Sequence, residues 1–219
     1  MHDIKSICAQ VGLTNPRTLI EFGAAHPFSM RLGPYIDAGN KVILVEANPR
    51  LYYCITKGWE QGDFQSTWPE VPPLPHAHPG LSGARLQVIN AAIVETAGPV
   101  TFFEYNASSF VKGVSSPAVV NNGFDINAKQ TEYTVPGMTI DQFDDGEIDV
   151  LLADVEGSEW WCINGLKSRP KVIVLELWGQ TGPGETFENA NIGKIAAWMN
   201  ANGYAFGGRD QTDAVFIKQ

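Results

Sequence analysis

The stretches Thr18-Leu-Ile-Glu-Phe-Gly-Ala-Ala-His26 and Lys41-Val-Ile-Leu-Val-Glu-Ala-Asn48 decide the fold. Each is an apolar run that reaches a carboxylate, and a turn of small residues follows the first run. An α/β protein places such runs on neighbouring parallel strands and binds nucleotides where the strands end. Glu46 follows Glu21 by 25 positions, close to the spacing of about 20 residues at which an acid binds a ribose. We therefore interpret the two stretches as two sides of a nucleotide pocket.

Composition limits the partners of this chain. Its 219 residues predict a single domain, 1–219. A net charge of −9 argues against broad contact with nucleic acid or with an anionic membrane, and no apolar run reaches the roughly 20 residues of a membrane span. The N-terminus does not resemble a signal peptide. Three scattered cysteines predict no disulfide framework, so a cytoplasmic location is expected.

Apolar runs without alternation predict strands that are covered on both faces. The predicted strands are 18–25, 41–46, 86–94, 99–105, 149–154, 172–177 and a final antiparallel pair, 204–206 and 214–218. Helices or turns are predicted over 26–36 with an interruption at Gly33-Pro34, and over 50–57, 139–143, 158–163 (capped by Ser158) and 192–203. This order indicates an α/β fold with a mostly parallel sheet, an antiparallel C-terminal strand and helices on both faces.

Two segments, 59–84 and 106–132, show no periodicity and are predicted to be loop insertions. We expect them to form the wall of an acceptor pocket, because they carry several aromatic side chains. His76 and His78 in the first segment have the spacing of a metal pair, but a solvated loop is favoured because no third ligand is near in sequence. The second segment contains Ser108 and Ser109, which are candidates for substrate or cofactor contacts.

Four carboxylates are predicted to surround one crevice, because each follows or ends an apolar strand: Glu21, Glu46, Asp154 and Glu176. Ordinary structural roles compete with this interpretation. Glu46 could cap a turn, Glu176 could be a solvated strand end, and Asp154 and Glu156 could be charges at a helix N-terminus. For Glu159, two roles are equally compatible with the sequence: it could stabilise the first turn of a helix, or it could contact the ligand.

The turn after Glu21 lacks the glycines with which a G-x-G-x-x-G loop holds a diphosphate. An acidic site of this kind suits a cofactor that has a ribose and positive charges but no phosphate. S-adenosylmethionine, with its ammonium and sulfonium groups, is such a ligand.

Five blocks together resemble the FkbM family of S-adenosylmethionine-dependent methyltransferases. They are Glu21-Phe-Gly-Ala-Ala, Val45-Glu-Ala-Asn-Pro49, Asn90-Ala-Ala-Ile-Val, Thr139-Ile-Asp-Gln-Phe143 and Asp154-Val-Glu-Gly-Ser-Glu159. The resemblance covers roughly residues 18–217, and the last block, preceded by Thr-Ile-Asp, is the most specific part. It implies a Rossmann-like class I methyltransferase fold with a seven-stranded sheet. It also implies methyl transfer to a hydroxyl oxygen of a small acceptor such as a sugar or secondary metabolite.

The resemblance also implies roles for individual residues. Glu21 and Gly23 would line the methionine side of the cofactor, with His26 on its carboxylate, and Glu46 beside Ala47 would hold the ribose. Asn90 and Ala91 would flank the adenine. The residues beside the transferred methyl group and the acceptor would be Asp154, Glu156 and Glu159.

Methyl transfer to an alcohol needs a base, and Asp154 or Glu176 is the candidate. A divalent ion held by both is the alternative, but it is not favoured. Two other functions stay open. Ala25, Pro27 and Ala153 depart from the residues that the family usually has at these positions, so a degenerate, non-catalytic module that binds the cofactor stays possible. A nicotinamide-dependent oxidoreductase is the weaker alternative. The acceptor and the oligomeric state, a homo-oligomer included, are not fixed by the sequence.

Overall fold

The structure is a computed structural model. It describes residues 3–25, 31–61, 85–104, 109–116, 131–182, 185–210 and 212–219, with the backbone alone for 57–61, 179–182 and 185–187. Among the predicted features, His26, the His76/His78 pair and Ser108 lie outside the described residues.

A seven-stranded sheet forms the centre of the molecule. Its strands are β1 (Thr18–Phe22), β2 (Lys41–Val45), β3 (Leu86–Ile89), β8 (Ile148–Ala153), β9 (Val172–Glu176), β12 (Tyr204–Arg209) and β13 (Asp213–Lys218). They are arranged in the order β12-β13-β9-β8-β1-β2-β3. The pairs from β9 to β3 are parallel, whereas β13 pairs antiparallel with both β9 and β12. The prediction of a mostly parallel α/β sheet with a final antiparallel pair is therefore confirmed.

A second sheet was not predicted. It contains β4 (Ala92–Ile93), β5 (Gly98–Phe103), β6 (Phe110–Val111) and β7 (Glu132–Met138) in the order β4-β7-β5-β6. A separate hairpin pairs β10 (Trp178–Gly182) with β11 (Glu185–Glu188).

The single strand predicted over 86–94 is wrong, because β3 and β4 belong to different sheets. Asn90 lies at the break. Its side-chain amide donates to the backbone oxygens of Glu46 (2.8 Å) and Ala47 (3.1 Å). The chain leaves the parallel sheet at this point and pairs next with β7.

The helices are α1 (Ile4–Gln10), α2 (Gly33–Asp37), α3 (Pro49–Gln61), α4 (Glu159–Ile163) and α5 (Ile192–Ala201), with a 3₁₀ helix at Ile140–Gln142. Gly33-Pro34, where the predicted helix 26–36 is interrupted, begins α2, since proline fits the first turn, where its missing N–H is not needed. Residues 26–30 of that predicted helix lie outside the described residues. The predicted start of the loop 59–84 is wrong by three residues, because α3 continues to Gln61. The predicted loop 106–132 contains the short strand β6.

Two apolar clusters pack against the central sheet, and alternate residues of each strand enter different clusters. Ile20 and Leu151 belong to the cluster that contains Cys162 of α4 and Ile195 of α5. Leu19 and Leu152 belong to the cluster that contains Ile4 and Cys8 of α1, Tyr35 of α2, and Tyr52 and Ile55 of α3. The strands β1, β2, β8 and β9 are thus buried on both faces, which explains their continuous apolar runs. None of the helices in the described ranges is long and apolar enough to cross a lipid bilayer.

Candidate active site

A cavity of about 240 Å³ lies at the carboxyl ends of the parallel strands. Each of four central strands delivers a residue to it: Gly23 after β1, Glu46 after β2, Asp154 after β8 and Glu176 at the end of β9. The sequence predicts four carboxylates around this crevice. Three of them line the cavity, and Glu156 adds another.

The other side of the cavity is apolar. It is formed by Leu51 of α3 together with Ala91, Ala92, Ile93, Phe102 and Val111. Most of these residues come from the second sheet, so that sheet supplies a wall of the site. Ser109 also lines the cavity and accepts a hydrogen bond from the Asn48 side-chain amide at 3.3 Å. The site therefore has an apolar side that suits a flat ring and an acidic side that suits hydroxyls or cations.

Glu46 is 5% exposed, and backbone amides fix its position. One carboxylate oxygen accepts from the amide of Ala25 at 2.7 Å, and the other accepts from the amide of Asn48 at 2.7 Å. Burial raises the pKa of Glu46 to about 7, although these amides oppose the shift. Each oxygen retains a second lone pair, so the residue can accept further hydrogen bonds from a ligand.

The turn after β1 needs a glycine at position 23 for two reasons. Gly23 has a φ of +74°, and a Cβ there would lie 1.8 Å from the backbone oxygen of Asp154. The amide of Gly23 donates to the Val45 oxygen at 2.9 Å. The turn is thus packed between the ends of β2 and β8.

Asp154, Glu156 and Glu176 form the acidic side of the cavity. One carboxylate oxygen of each lies within 4.8 Å of the others. Burial, followed by the charges of Asp154 and Glu156, raises the pKa of Glu176 far above its usual range. Two carboxyls this close hold a shared proton, because simultaneous ionisation is costly in a buried site. We assign that proton to Glu176, the member of the pair whose pKa is raised.

Glu159 shapes the turn that carries these acids. It is fully buried, and its carboxylate accepts from the amides of Val155 (3.0 Å) and Gly157 (3.3 Å) and from the side-chain amide of Asn189. Burial raises its pKa to about 7. Ser158 occupies the N-cap position of α4, as predicted, but its side chain makes no capping hydrogen bond. The carboxylate of Glu159 satisfies the turn amides instead.

The predicted cofactor residues divide into two groups. Gly23, Glu46, Ala47, Ala91, Asp154 and Glu156 line the cavity. Glu21, Asn90 and Glu159 are not among its lining residues. Asn90 instead binds the backbone beneath the site, as described above, and Glu159 binds the turn.

Glu21 is 2% exposed, and its carboxylate binds a neighbouring segment of the chain rather than facing the cavity. Its carboxylate accepts from the backbone amides of Arg31 (3.1 Å) and Leu32 (3.2 Å). The guanidinium of Arg31 lies 3.4 Å from Glu21 and 3.1 Å from Asp213. Arg31 was not predicted as part of this region, and no local signal in the sequence indicates it, because its partner Asp213 is 182 positions away. Leu51 of α3 was not predicted either, and neither were Phe102 and Val111, which belong to the unpredicted second sheet.

A family model described as a methyltransferase FkbM domain matches residues 21–206. The match confirms the resemblance inferred from the sequence blocks. Comparison with curated proteins gives no match.

Proposed function

Because this chain belongs to the FkbM methyltransferase family, we propose that it is an S-adenosylmethionine-dependent O-methyltransferase. Its substrate in this proposal is a hydroxyl group of a small acceptor such as a sugar or secondary metabolite. The proposal includes the class I methyltransferase fold with helices on both faces of the sheet, and the two apolar clusters support that part. A cytoplasmic setting is also proposed, since Cys8, Cys54 and Cys162 are all free.

The observation that carries the proposal is the convergence of Glu46, Asp154, Glu156 and Glu176 on one cavity. A ligand with a ribose and a positive charge matches these residues. The Glu46 carboxylate, which two amides orient, would accept hydrogen bonds from ribose hydroxyls. Ala91, Ile93 and Phe102 offer the apolar contact that an adenine ring requires.

S-adenosylmethionine, when bound, supplies a methyl group on a positively charged sulfur. Asp154 and Glu176 supply the base. An alcohol oxygen that forms a third bond makes its own proton strongly acidic, so a carboxylate suffices to accept it. In our proposal a carboxylate oxygen of Asp154 takes this proton, and Glu176 holds the proton that the pair already shares.

Positioning of the two reactants would contribute the larger part of the rate acceleration. Holding two reactants in near-attack geometry lowers a barrier by roughly 7–11 kcal/mol. The turn 154–158 is suited to this task because Glu159 binds two of its amides and Gly157 is packed against Ser115, whose oxygen would lie 2.2 Å from a Cβ at position 157. The acids on this turn therefore have little freedom to move.

The test is a screen of the purified protein against sugars and small alcohols with a methyl-labelled donor. The wild type and Asp154→Asn are compared, with Asp149→Asn as the control. Asp149 lies near the start of β8, at the end of the strand opposite to Asp154, and pairs with Arg17 there. We expect a labelled product with the wild type and the control, and at least a 100-fold lower rate with Asp154→Asn. Absence of any labelled product together with tight cofactor binding would favour the degenerate module.

A further inference from the structure

Two of the described residues that line the cavity carry a side-chain hydroxyl, and the contacts of these two hydroxyls differ. Ser109 accepts a hydrogen bond from the side-chain amide of Asn48 at 3.3 Å. Ser158 is 1% exposed, and its hydroxyl has no hydrogen-bond partner among the residues that the structure describes. A hydroxyl that is removed from water without a partner lowers the stability of a protein. Its position at the wall of a cavity therefore points to a partner that enters with the ligand.

The local structure explains why the Ser158 hydroxyl is not used within the chain. A serine that precedes a helix usually accepts a hydrogen bond from a backbone amide of the first turn. The side chain of Ser158 makes no such bond, and the amides of Val155 and Gly157 donate to Glu159 instead. The backbone oxygen of Ser158 accepts from the amide of Trp161 at 2.9 Å. The hydroxyl itself thus keeps both its donor and its lone pairs for a ligand.

The turn 154–158 brings Ser158 to the same cavity as the proposed base. Glu156 has a φ of +53° and Gly157 a φ of +108°, and two consecutive residues with positive φ are typical of a tight turn. The chain therefore reverses between Asp154 and Ser158, and both residues line the cavity. A molecule that places one hydroxyl against Asp154 can thus present a neighbouring polar group to Ser158.

We propose that Ser158 is a specificity-determining residue that binds a second hydroxyl of the acceptor, adjacent to the hydroxyl that is methylated. The acceptor in this proposal has two neighbouring hydroxyls and is not an isolated alcohol. The proposal rests on the proposed function, because the reacting hydroxyl is placed there against Asp154. A serine hydroxyl both donates and accepts, and so does the hydroxyl that it would bind. Glu156 lines the same cavity and disfavours an anionic group at this position, since like charges repel strongly in a buried site.

The first test compares ethylene glycol, which has two adjacent hydroxyls, with ethanol, which has one. Protein NMR titrations with S-adenosylhomocysteine present follow the backbone amide signals of Val155 and Gly157. In the wild type, ethylene glycol should shift these signals at about 5-fold lower concentration than ethanol, as expected for one additional hydrogen bond. In Ser158→Ala the two alcohols should act at similar concentrations. Equal concentrations in the wild type would overturn the proposal, because the Ser158 hydroxyl would then bind water only.

Thr18→Val is the matched control. The Thr18 hydroxyl is also buried without a hydrogen-bond partner among the described residues, but Thr18 begins β1, at the end of the strand opposite to the cavity. This variant should keep the wild-type preference for ethylene glycol. With a methyl-labelled donor, the ratio of kcat/KM for ethylene glycol to that for ethanol should fall about 5-fold in Ser158→Ala. A preference that depends on Ser158 without methyl transfer would support the assignment and refute the proposed function, whereas methyl transfer with no such dependence would do the reverse.

Two further measurements on Ser158→Ala test for other roles of the hydroxyl. In urea unfolding without ligand, the midpoint should stay the same or rise, as in Thr18→Val, because each variant removes a buried hydroxyl that has no partner. A lower midpoint in Ser158→Ala alone would show that the hydroxyl has a partner within the protein, and would overturn the proposal. In calorimetry, the dissociation constant for S-adenosylhomocysteine should stay within about threefold of the wild type. A loss of tenfold or more would assign Ser158 to the cofactor and overturn its role toward the acceptor.

Discussion

Gly23 and Asp154 lie so close together that a Cβ on Gly23 would be 1.8 Å from the Asp154 backbone oxygen. The contact joins the turn after β1 to the end of β8, where the amide of Asp154 donates to the Phe22 oxygen at 3.0 Å. Two walls of the cavity are thus in direct backbone contact. A side chain at position 23 would force them apart.

Gly23→Ala should therefore destabilise the protein far more than its backbone conformation alone explains. Gly12→Ala is the matched control, because Gly12 has a φ of +72° and nothing within 4 Å of a Cβ. We expect Gly12→Ala to cost about 1–2 kcal/mol and Gly23→Ala to cost more than about 3 kcal/mol. Urea unfolding measures both free energies. Equal losses would show that the turn relaxes away from Asp154.

The stability of the protein should fall as the pH rises from about 5 to 7. The folded carboxyl of Glu46 has a pKa raised to about 7 from an ordinary 4.5, so in this range the folded state binds more protons than the unfolded chain. Its contribution is present at low pH and is lost as the pH rises through the folded pKa, with an upper limit of about 3 kcal/mol. Glu159 contributes in the same direction.

Glu46→Gln tests this assignment by removing one titrating group. The free energy of unfolding, measured by urea denaturation at several pH values, should change less between pH 5 and 7 in the variant than in the wild type. Glu95→Gln, at an exposed position, should keep the wild-type slope. A slope in Glu46→Gln as steep as that of the wild type would mean that Glu46 is ionised throughout this range.

The sequence predicted the central sheet well because its signal is local. Continuous apolar runs such as 149–154 mark strands that are buried on both faces, and their order specifies parallel pairing. The second sheet could not be predicted in this way. Two of its strands, β4 and β6, have two residues each, and their positions depend on pairing with distant segments.

The candidate site shows the same division between local and distant information. Glu46, Asp154 and Glu176 were predicted from their places at strand ends, and topology brings them to one cavity. The surroundings of Glu21 were not predictable, because its partner Arg31 also contacts Asp213, 182 positions further along the chain. Only the folded chain shows that this carboxylate faces a buried guanidinium.

Asp154→Asn should reduce turnover more than cofactor binding. The amide keeps the shape of the side chain but cannot accept a proton as a base, so we expect kcat to fall by about 100-fold or more. The dissociation constant for S-adenosylhomocysteine, measured by calorimetry, should change much less. Equal changes in the two quantities would indicate that Asp154 serves binding alone.

Methyl transfer should survive removal of divalent metal ions. The carboxylates of Asp154, Glu156 and Glu176 lie within 4.8 Å of one another, a spacing that could also suit a divalent cation held by oxygen ligands. In our account the proton shared by Asp154 and Glu176 limits the repulsion among these acids. Initial rates are compared before and after dialysis against EDTA, and a loss of rate that Mg²⁺ or Mn²⁺ restores would replace the protein base with a metal centre.

The most direct test of the central claim, that these acids form a cofactor site, is calorimetric titration with S-adenosylhomocysteine and with NADH. We predict one S-adenosylhomocysteine per chain and no binding of NADH. Loss of a charged hydrogen-bond acceptor costs about 1.5–3 kcal/mol, so Glu46→Gln should bind about 10- to 150-fold more weakly, whereas Glu95→Gln should match the wild type. No binding of S-adenosylhomocysteine, or wild-type affinity in Glu46→Gln, would contradict the account.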